Sequence, residues 1–358
     1  MNTIGHSLTL TLFGASHDTR IGCVLDGVPA GVPVAMEAVA ADLLLRKPVP
    51  GIGTPRVEED VPEISGVVNG VTTGAPVVMT FANANTRSSD YEQLRRVPRP
   101  GHADYPAVCK YGAAHDIRGG GMFSGRMTTP LVAAGGLLRG LLAAAGVSVG
   151  SYTMRIGSVA DANVYEASEV LVRSRENPLR AMRPEIADAM RAEILAVKAA
   201  GDSVGGVVRC FAVGLPPGVG EPFFDTLDGE VAKAVFAVPG VKGISFGEGF
   251  CAAELRGSEN NDCYRMSSAG VPVPVTNHAG GVLGGMASGA VLDFSVAFKP
   301  TPSIALQQES VDLLRRENTF LSVSGRHDPC IANRGAIVVE AMTIVTLADL
   351  LIRGGFVE

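Results

Sequence analysis

The longest apolar stretch of the chain, Leu131 to Val149, is interrupted by Arg139 and four glycines. A run of that length and apolarity must be buried somewhere, and the interruptions mark it as a packed core helix rather than a membrane span. It therefore demands a large core around it. The 358 residues, 46% hydrophobic and 18% charged, can supply one. That balance excludes a disordered chain. The rest of the sequence is punctuated by 44 glycines and 22 prolines without collagen-like period, so many tight turns connect short elements. No internal repeat or low-complexity linker divides it.

Helical periodicity is read at Val34–Arg46, Pro184–Ala200, Asp225–Val238, Ala305–Arg316 and Glu340–Arg353. Alternating or β-branched runs predict strands at Leu8–Phe13, Cys23–Val28, Pro76–Phe81, Gly206–Val213 and Ala290–Phe298. The two kinds are mixed without regular βαβ alternation, so an α+β class is expected, as one large domain over residues 1–358.

Several functions are disfavoured. Trp is absent and the net charge is −6, which argues against a nucleic-acid partner. The six cysteines form no CxxC pair, and the N-terminus has neither a basic nor an apolar signal region. Reduced thiols and a cytoplasmic location are expected, with no membrane association. There is no P-loop, no HExxH and no GxGxxG. Gly243-Ile-Ser245-Phe-Gly247, followed by Asp293 and His327, fits a nucleophile elbow, but the flanking Pro239, Gly240 and Gly249 make a glycine-rich turn the better reading.

Three histidines stand in turns near acids: His17-Asp18, His102-Ala-Asp104 and His327-Asp328. A carboxylate can hold an imidazole in one tautomer and suit it to general-acid work, or share a metal with it. Between Arg87 and Arg139 eight basic residues face four acids, and Arg99, Arg118 and Arg126 flank His102 and Gly119-Gly-Gly121. Guanidinium forks beside glycine-exposed backbone N–H groups suit phosphate or carboxylate, so a small polyanion handled near histidines is expected, with Arg46, Arg326 and Arg334 as further candidates. Phe298 to Ser303 is read as a strand-to-helix connection offering Lys299 and two hydroxyls. A metal-dependent phosphohydrolase and a non-catalytic flavoprotein remain alternatives at this point.

Taken in order, the segments Gly14-Ala-Ser16-His17, Arg99-Pro-Gly-His102-Ala-Asp104-Tyr105, Asp116-Ile-Arg118-Gly-Gly-Gly121 and Ser124-Gly-Arg126 resemble the chorismate synthase family. So do Gly201-Asp-Ser203, Arg256-Gly-Ser258, Asn277-His-Ala-Gly-Gly281, Lys299-Pro-Thr301, Arg326-His-Asp-Pro-Cys330 and Glu340-Ala-Met342. The resemblance runs from about residue 4 to residue 352. It implies a βαβ sandwich-like fold, a homotetramer, and a phosphate lyase that uses reduced FMN. The reaction implied is anti-1,4-elimination of phosphate from 5-enolpyruvylshikimate 3-phosphate, giving chorismate at the last step of the shikimate pathway and so serving aromatic amino acid biosynthesis.

By that resemblance His17, with Ser16 beside it, protonates the reduced flavin, His102 is general acid to the phosphate, and Asp328 assists proton removal at the flavin. Arg46, Arg99, Arg126 and Arg334 take the substrate anions. FMN falls to Met122, Phe123, Ser124, Gly240, Gly284, Lys299, Pro300, Thr301, Pro302, Ser303 and Arg326; no metal is implied. The chain departs from the family pattern at Asp18, where glycine is usual, at Met122, where arginine is usual, and around Ile52, where a basic contact is missing. Activity is expected to survive these changes. With no nucleotide fingerprint, dependence on an external flavin reductase is favoured over flavin reduction by the chain's own NAD(P)H chemistry.

Overall fold

The computed structural model describes residues 1–55, 58–84, 92–323 and 327–357. Two five-stranded antiparallel sheets frame it. The first contains β1 (Thr3–Ile4), β2 (Thr9–Phe13), β3 (Arg20–Asp26), β4 (Glu63–Ser65) and β5 (Val77–Ala82), in the order β1-β2-β3-β5-β4. The second contains β6 (Ser148–Ile156), β7 (Val159–Ala160), β8 (Gly206–Val213), β9 (Val241–Phe246) and β10 (Leu292–Phe298), in the order β9-β10-β8-β6-β7. Period-two burial orients each sheet: Val77, Met79 and Phe81 of β5 point inward, as do Leu292, Phe294, Val296 and Phe298 of β10.

Between the sheets lie two layers of helix. Helix α1 (Met36–Arg46) packs beside α2 (Thr128–Ala144), which covers the first sheet; α3 (Pro184–Ala199) flanks the second at β7; α4 (Leu227–Phe236) and α5 (Ala332–Arg353) complete the second helical layer. The α+β expectation holds, and the layering is sheet, helices, sheet. One cluster of buried apolar residues runs from Leu8 to Leu351.

The two central helices touch along their backbones because glycine allows it. A Cβ at Gly135 of α2 would lie 2.6 Å from the Cα of Ala341 in α5, and one at Gly136 would lie 3.0 Å from the Cα of Val39 in α1. Among the described residues two helical stretches, Gly125–Ala144 and Ala332–Arg353, are long and apolar enough to cross a membrane, but both are enclosed by protein. Of Ala332 to Leu351 only Arg334 is not fully buried, so this helix is enclosed on every side and forms the centre of the core.

Several expectations need correction. The apolar run is not helical to Val149: α2 ends at Ala144, Gly146 turns with φ 73°, and the chain enters β6. Helix α5 begins at Ala332 rather than Glu340, since Gly335, which reads as a breaker, is where the ring of Phe298 packs on the helix. Ala305–Arg316 is not a helix but part of a hairpin, Gln308–Asp312 with Glu317–Leu321. There the Asp312 carboxylate accepts the N–H groups of Leu314 and Arg315, 3.1 and 3.0 Å, and Arg316 sits at φ 59°. The Lys299–Ser303 turn accordingly opens no helix. Gly243–Phe246 belongs to β9 rather than to a turn; Ser245 pairs across the sheet with Ser295, and Asp293 is bound by Arg209, so no elbow triad forms.

Candidate active site

Helices α2 and α5 both start at the wall of one cavity, of about 930 Å³. The N-terminal ends of long helices carry partial positive charge, so the fold itself makes this space attractive to anions. The C-terminal end of α1 adds Arg46 and Lys47, and the start of β9 adds Lys242. Apolar walls come from Met122, Phe123, Phe236, Phe298, Leu321 and Ile331.

His102 is held through its Nδ1. It precedes the short helix Asp104–Tyr111, whose first residue turns its carboxylate back to the imidazole Nδ1 at 2.6 Å. Arg99 grips the same carboxylate with Nε at 2.7 Å and Nη2 at 2.8 Å, and its Nη1 donates to the Ser303 hydroxyl at 3.1 Å. Arg99 Nη2 also lies 3.0 Å from Nδ1, but the shorter contact to a carboxylate assigns the ring proton to Nδ1, donating to Asp104. Burial alone would raise the Asp104 pKa; hydrogen bonds from Arg99 and His102 outweigh it and hold the carboxyl well below its usual range. Nε2 is left near Gly120, on the cavity side.

His17 is seated by the glycine run. Gly119, Gly120 and Gly121 have φ of 61°, 84° and 55°, a left-handed path that only glycine follows readily. A Cβ at Gly119 would fall 2.2 Å from His17 Cε1 and Nδ1 and 2.5 Å from Ser16 Oγ, so the missing side chain is what lets the histidine reach the cavity. Ser16 itself is fully buried behind it, its N–H donating to the Gly121 carbonyl at 3.2 Å. Asp18 does not line the cavity.

The arginines are held by acids. Arg46 Nη2 donates to Asp60 Oδ2 at 2.6 Å, and Arg126 Nη1 bonds the other oxygen of the same carboxylate. Arg126 also donates to Asn83 Oδ1 at 2.8 Å, to the Ala82 carbonyl at 3.1 Å and to Thr129 Oγ1 at 3.2 Å. Burial, reinforced by Arg334 and Arg126 and opposed by Asp60, pushes Arg46 down to about 10. Arg334 bonds Asp328 and donates through Nε to the Arg46 carbonyl at 2.8 Å; Asp328 also accepts the Thr54 N–H at 2.8 Å. Lys299, lowered by burial and by Lys242, bonds the Gly101 carbonyl.

The cavity thus gathers His17, His102, Asp328, Arg46, Arg99, Arg126, Arg334, Met122 to Ser124, Gly240 and Lys299 to Ser303. It does not take in Gly284, which turns a hairpin between Val282–Leu283 and Met286–Ala287 beyond the far end of α4. Nor does it take in Arg118, which pairs with Asp116 at the surface; Arg139 is equally remote, paired with Asp42 in the core. Arg326 lies outside the described residues. His327 lines the cavity, but its neighbour Asp328 turns to Arg334 instead; burial, aided by Arg99, lowers the His327 pKa. Sequence reasoning missed Asp60 and Lys242. Asp60 sits in the run Glu58-Glu59-Asp60, which reads as a solvated acidic face, and nothing in it signals burial.

Set against known proteins, the family model described as chorismate synthase matches residues 8–352. The chain belongs to the chorismate synthase family. Curated chorismate synthases from Dehalococcoides mccartyi and Korarchaeum cryptofilum are each 44% identical to it, over 99% and 98% of this chain and 98% and 97% of theirs. That of Methanosarcina mazei is 41% identical over the full chain and 98% of its own length. A solved chorismate synthase crystal structure aligns with a TM-score of 0.77 at 25% identity, covering 98% of this chain and 93% of that one. The chain is therefore a lyase of the chorismate synthase type, in aromatic biosynthesis. Of its departures, Met122 puts an apolar, 43% exposed side chain on the cavity wall, and Ile52 is buried in the core.

Proposed function

We propose that this cavity carries out the elimination of phosphate from 5-enolpyruvylshikimate 3-phosphate with reduced FMN bound beside the substrate. The observation that carries the reading is the His102–Asp104–Arg99 constellation on the wall of a cationic cavity. At about 930 Å³ the cavity is near the upper end of the ~300–1,000 Å³ usual for ligand sites, which leaves room for a flavin as well as a small acid. The donor set also fits a flavin phosphate and ring. Thr301 Oγ1 is a buried hydroxyl with no partner among the described residues, and Phe123 and Met122 offer apolar faces.

In this reading Met122 to Ser124, Gly240 and the Lys299–Ser303 turn hold FMN; Gly284 does not. When bound, reduced flavin would supply electron density for phosphate departure and a basic nitrogen for the ring C6 proton. His102, entering the step as the imidazolium with its Nδ1–H committed to Asp104, would give its second proton, from Nε2, to the departing phosphate, which leaves with the electron pair of the broken C–O bond. His17 holds a proton toward the flavin ring, with Ser16 packed behind it. Asp328, fixed by Arg334 and the Thr54 N–H, would be the carboxylate placed beside the bound flavin to assist proton removal. Arg46, Arg99, Arg126 and Arg334 orient the substrate anions, each such charged hydrogen bond contributing about 1.5–3 kcal/mol.

A metal reading of the His–Asp pairs is weaker, since Asp104 and Asp328 each already bind an arginine. We further propose one domain, a homotetramer, a cytoplasmic location and an external flavin reductase, on the family resemblance. The test is anaerobic turnover with FMN and dithionite, following chorismate absorbance and phosphate release together. Equimolar products that require reduced FMN are expected; product formed without flavin overturns the reading.

A further inference from the structure

We propose that Asp60 is a positioning residue that holds Arg46 and Arg126 together as a substrate-anion subsite, an inference that rests on the chorismate-forming reading of the cavity. No functional pattern in the sequence points to Asp60. Its side chain is 2% exposed and is shared by the two guanidinium groups, which come from different elements, the end of α1 and the turn before α2. Two like charges brought this close inside protein repel unless a carboxylate stands between them. Asp60 therefore fixes their separation; Asn83, the Ala82 carbonyl and Thr129 also hold Arg126, whereas Asp60 is the carboxylate that holds Arg46.

The charge count singles the cluster out. Around the cavity Arg99 is balanced by Asp104 and Arg334 by Asp328, each one to one. Among the described ion pairs Arg46 and Arg126 share a single carboxylate, so the pair carries one more cation than anion, on side chains 5% and 4% exposed. Arg46 Nε is buried and has no partner among the described residues. An excess cation cut off from bulk water, with an unused donor, suits an anionic oxygen group of the substrate. Asp60 also holds an uncommon backbone, φ 59°, in the left-handed region that aspartate and asparagine tolerate better than most residues. Non-glycine residues persist there where the surroundings demand it, and here the demand is the paired arginines.

Asp60→Asn tests this, because asparagine keeps the shape and the backbone tolerance and removes the charge. The expected result is a KM for 5-enolpyruvylshikimate 3-phosphate raised at least about tenfold, kcat within about threefold, and unchanged FMN affinity. Calorimetric binding of the same substrate to the flavin-free protein weakens in parallel, a readout independent of turnover. Competition by inorganic phosphate tells which anion is held: weakened competition assigns the phosphoryl end, unchanged competition a carboxylate. A lowered Tm with wild-type KM and wild-type substrate affinity would make Asp60 merely structural and overturn the proposal. Should Asp60→Asn fail to fold, Arg46→Gln carries the test with the same expected KM rise, and a wild-type KM there overturns the subsite. Wild-type protein that binds the substrate in an Asp60-dependent way yet makes no chorismate would refute the activity and leave the subsite standing.

Discussion

Arginines share carboxylates in two separate clusters of this chain, and the clusters differ in where the excess charge faces. In the core, Glu340 and Asp42, 0% and 1% exposed, take Arg139, Arg175 and Arg180 between α1, α2, β6 and α5. Ser151 adds a hydroxyl to Glu340 at 2.9 Å. At the cavity, Asp60 takes Arg46 and Arg126. Each cluster has one more guanidinium than carboxylate. In the core the surplus reaches water through Arg139 and Arg175, whose side chains are 25% and 30% exposed. At the cavity both arginines are within 5% of full burial, and their surplus charge faces the ligand space instead of bulk water. The same chemistry thus serves cohesion in one place and recognition in the other. Helix α1 joins them, with Asp42 in one cluster and Arg46 one turn later in the other.

The largest effect should come from breaking the core cluster. Glu340→Gln leaves three buried or half-buried arginines with Asp42 alone, and should cost about 3–5 kcal/mol, read as a Tm lower by roughly 5–10 °C. Burial would raise the Glu340 pKa, but Arg180, Arg139 and Arg175 outweigh it and bring it from 4.5 to about 2. A carboxylate depressed on folding stabilises above its unfolded pKa. That contribution, on the order of 3 kcal/mol, is lost as pH falls from about 4.5 toward 2. Denaturant melts across that window should show the slope in wild type and a flatter one in Glu340→Gln. At the cavity, His17→Ala and His102→Ala should each reduce turnover at least about tenfold while FMN still binds, checked by anaerobic kinetics and flavin titration. Smallest of all is Arg118→Ala. Its ion pair with Asp116 is half exposed, so activity should stay within twofold and Tm within about a degree.

Much of this was legible in the sequence, for physical reasons that differ by region. Period-two and helical patterns located β2, β5, β8, β10, α1, α3 and α4 because burial of one face imposes them. Where the chain is buried on every side the pattern vanishes, which is why the first two turns of α5 and the break between α2 and β6 were misread. The hairpin after Ser303 was mistaken for a helix since its turn depends on Asp312, which Arg96 also grips from a distant segment. At the cavity, His17, His102 and Arg99 stood out through glycine and proline turns. Asp60 did not, because its burial and its two partners exist only once residues 46, 60 and 126 meet. Gly284 and Arg118 carried the right motif context and lie elsewhere.

The division between the two clusters can be tested in one paired measurement: anaerobic kcat/KM for 5-enolpyruvylshikimate 3-phosphate in Glu340→Gln and His102→Ala, at a temperature where both are folded. The expected pattern is crossed. Glu340→Gln melts well below wild type yet keeps kcat/KM within about threefold, whereas His102→Ala melts near wild type and loses at least about tenfold. Equal losses of kcat/KM in the two variants, or wild-type turnover in His102→Ala, would contradict the account.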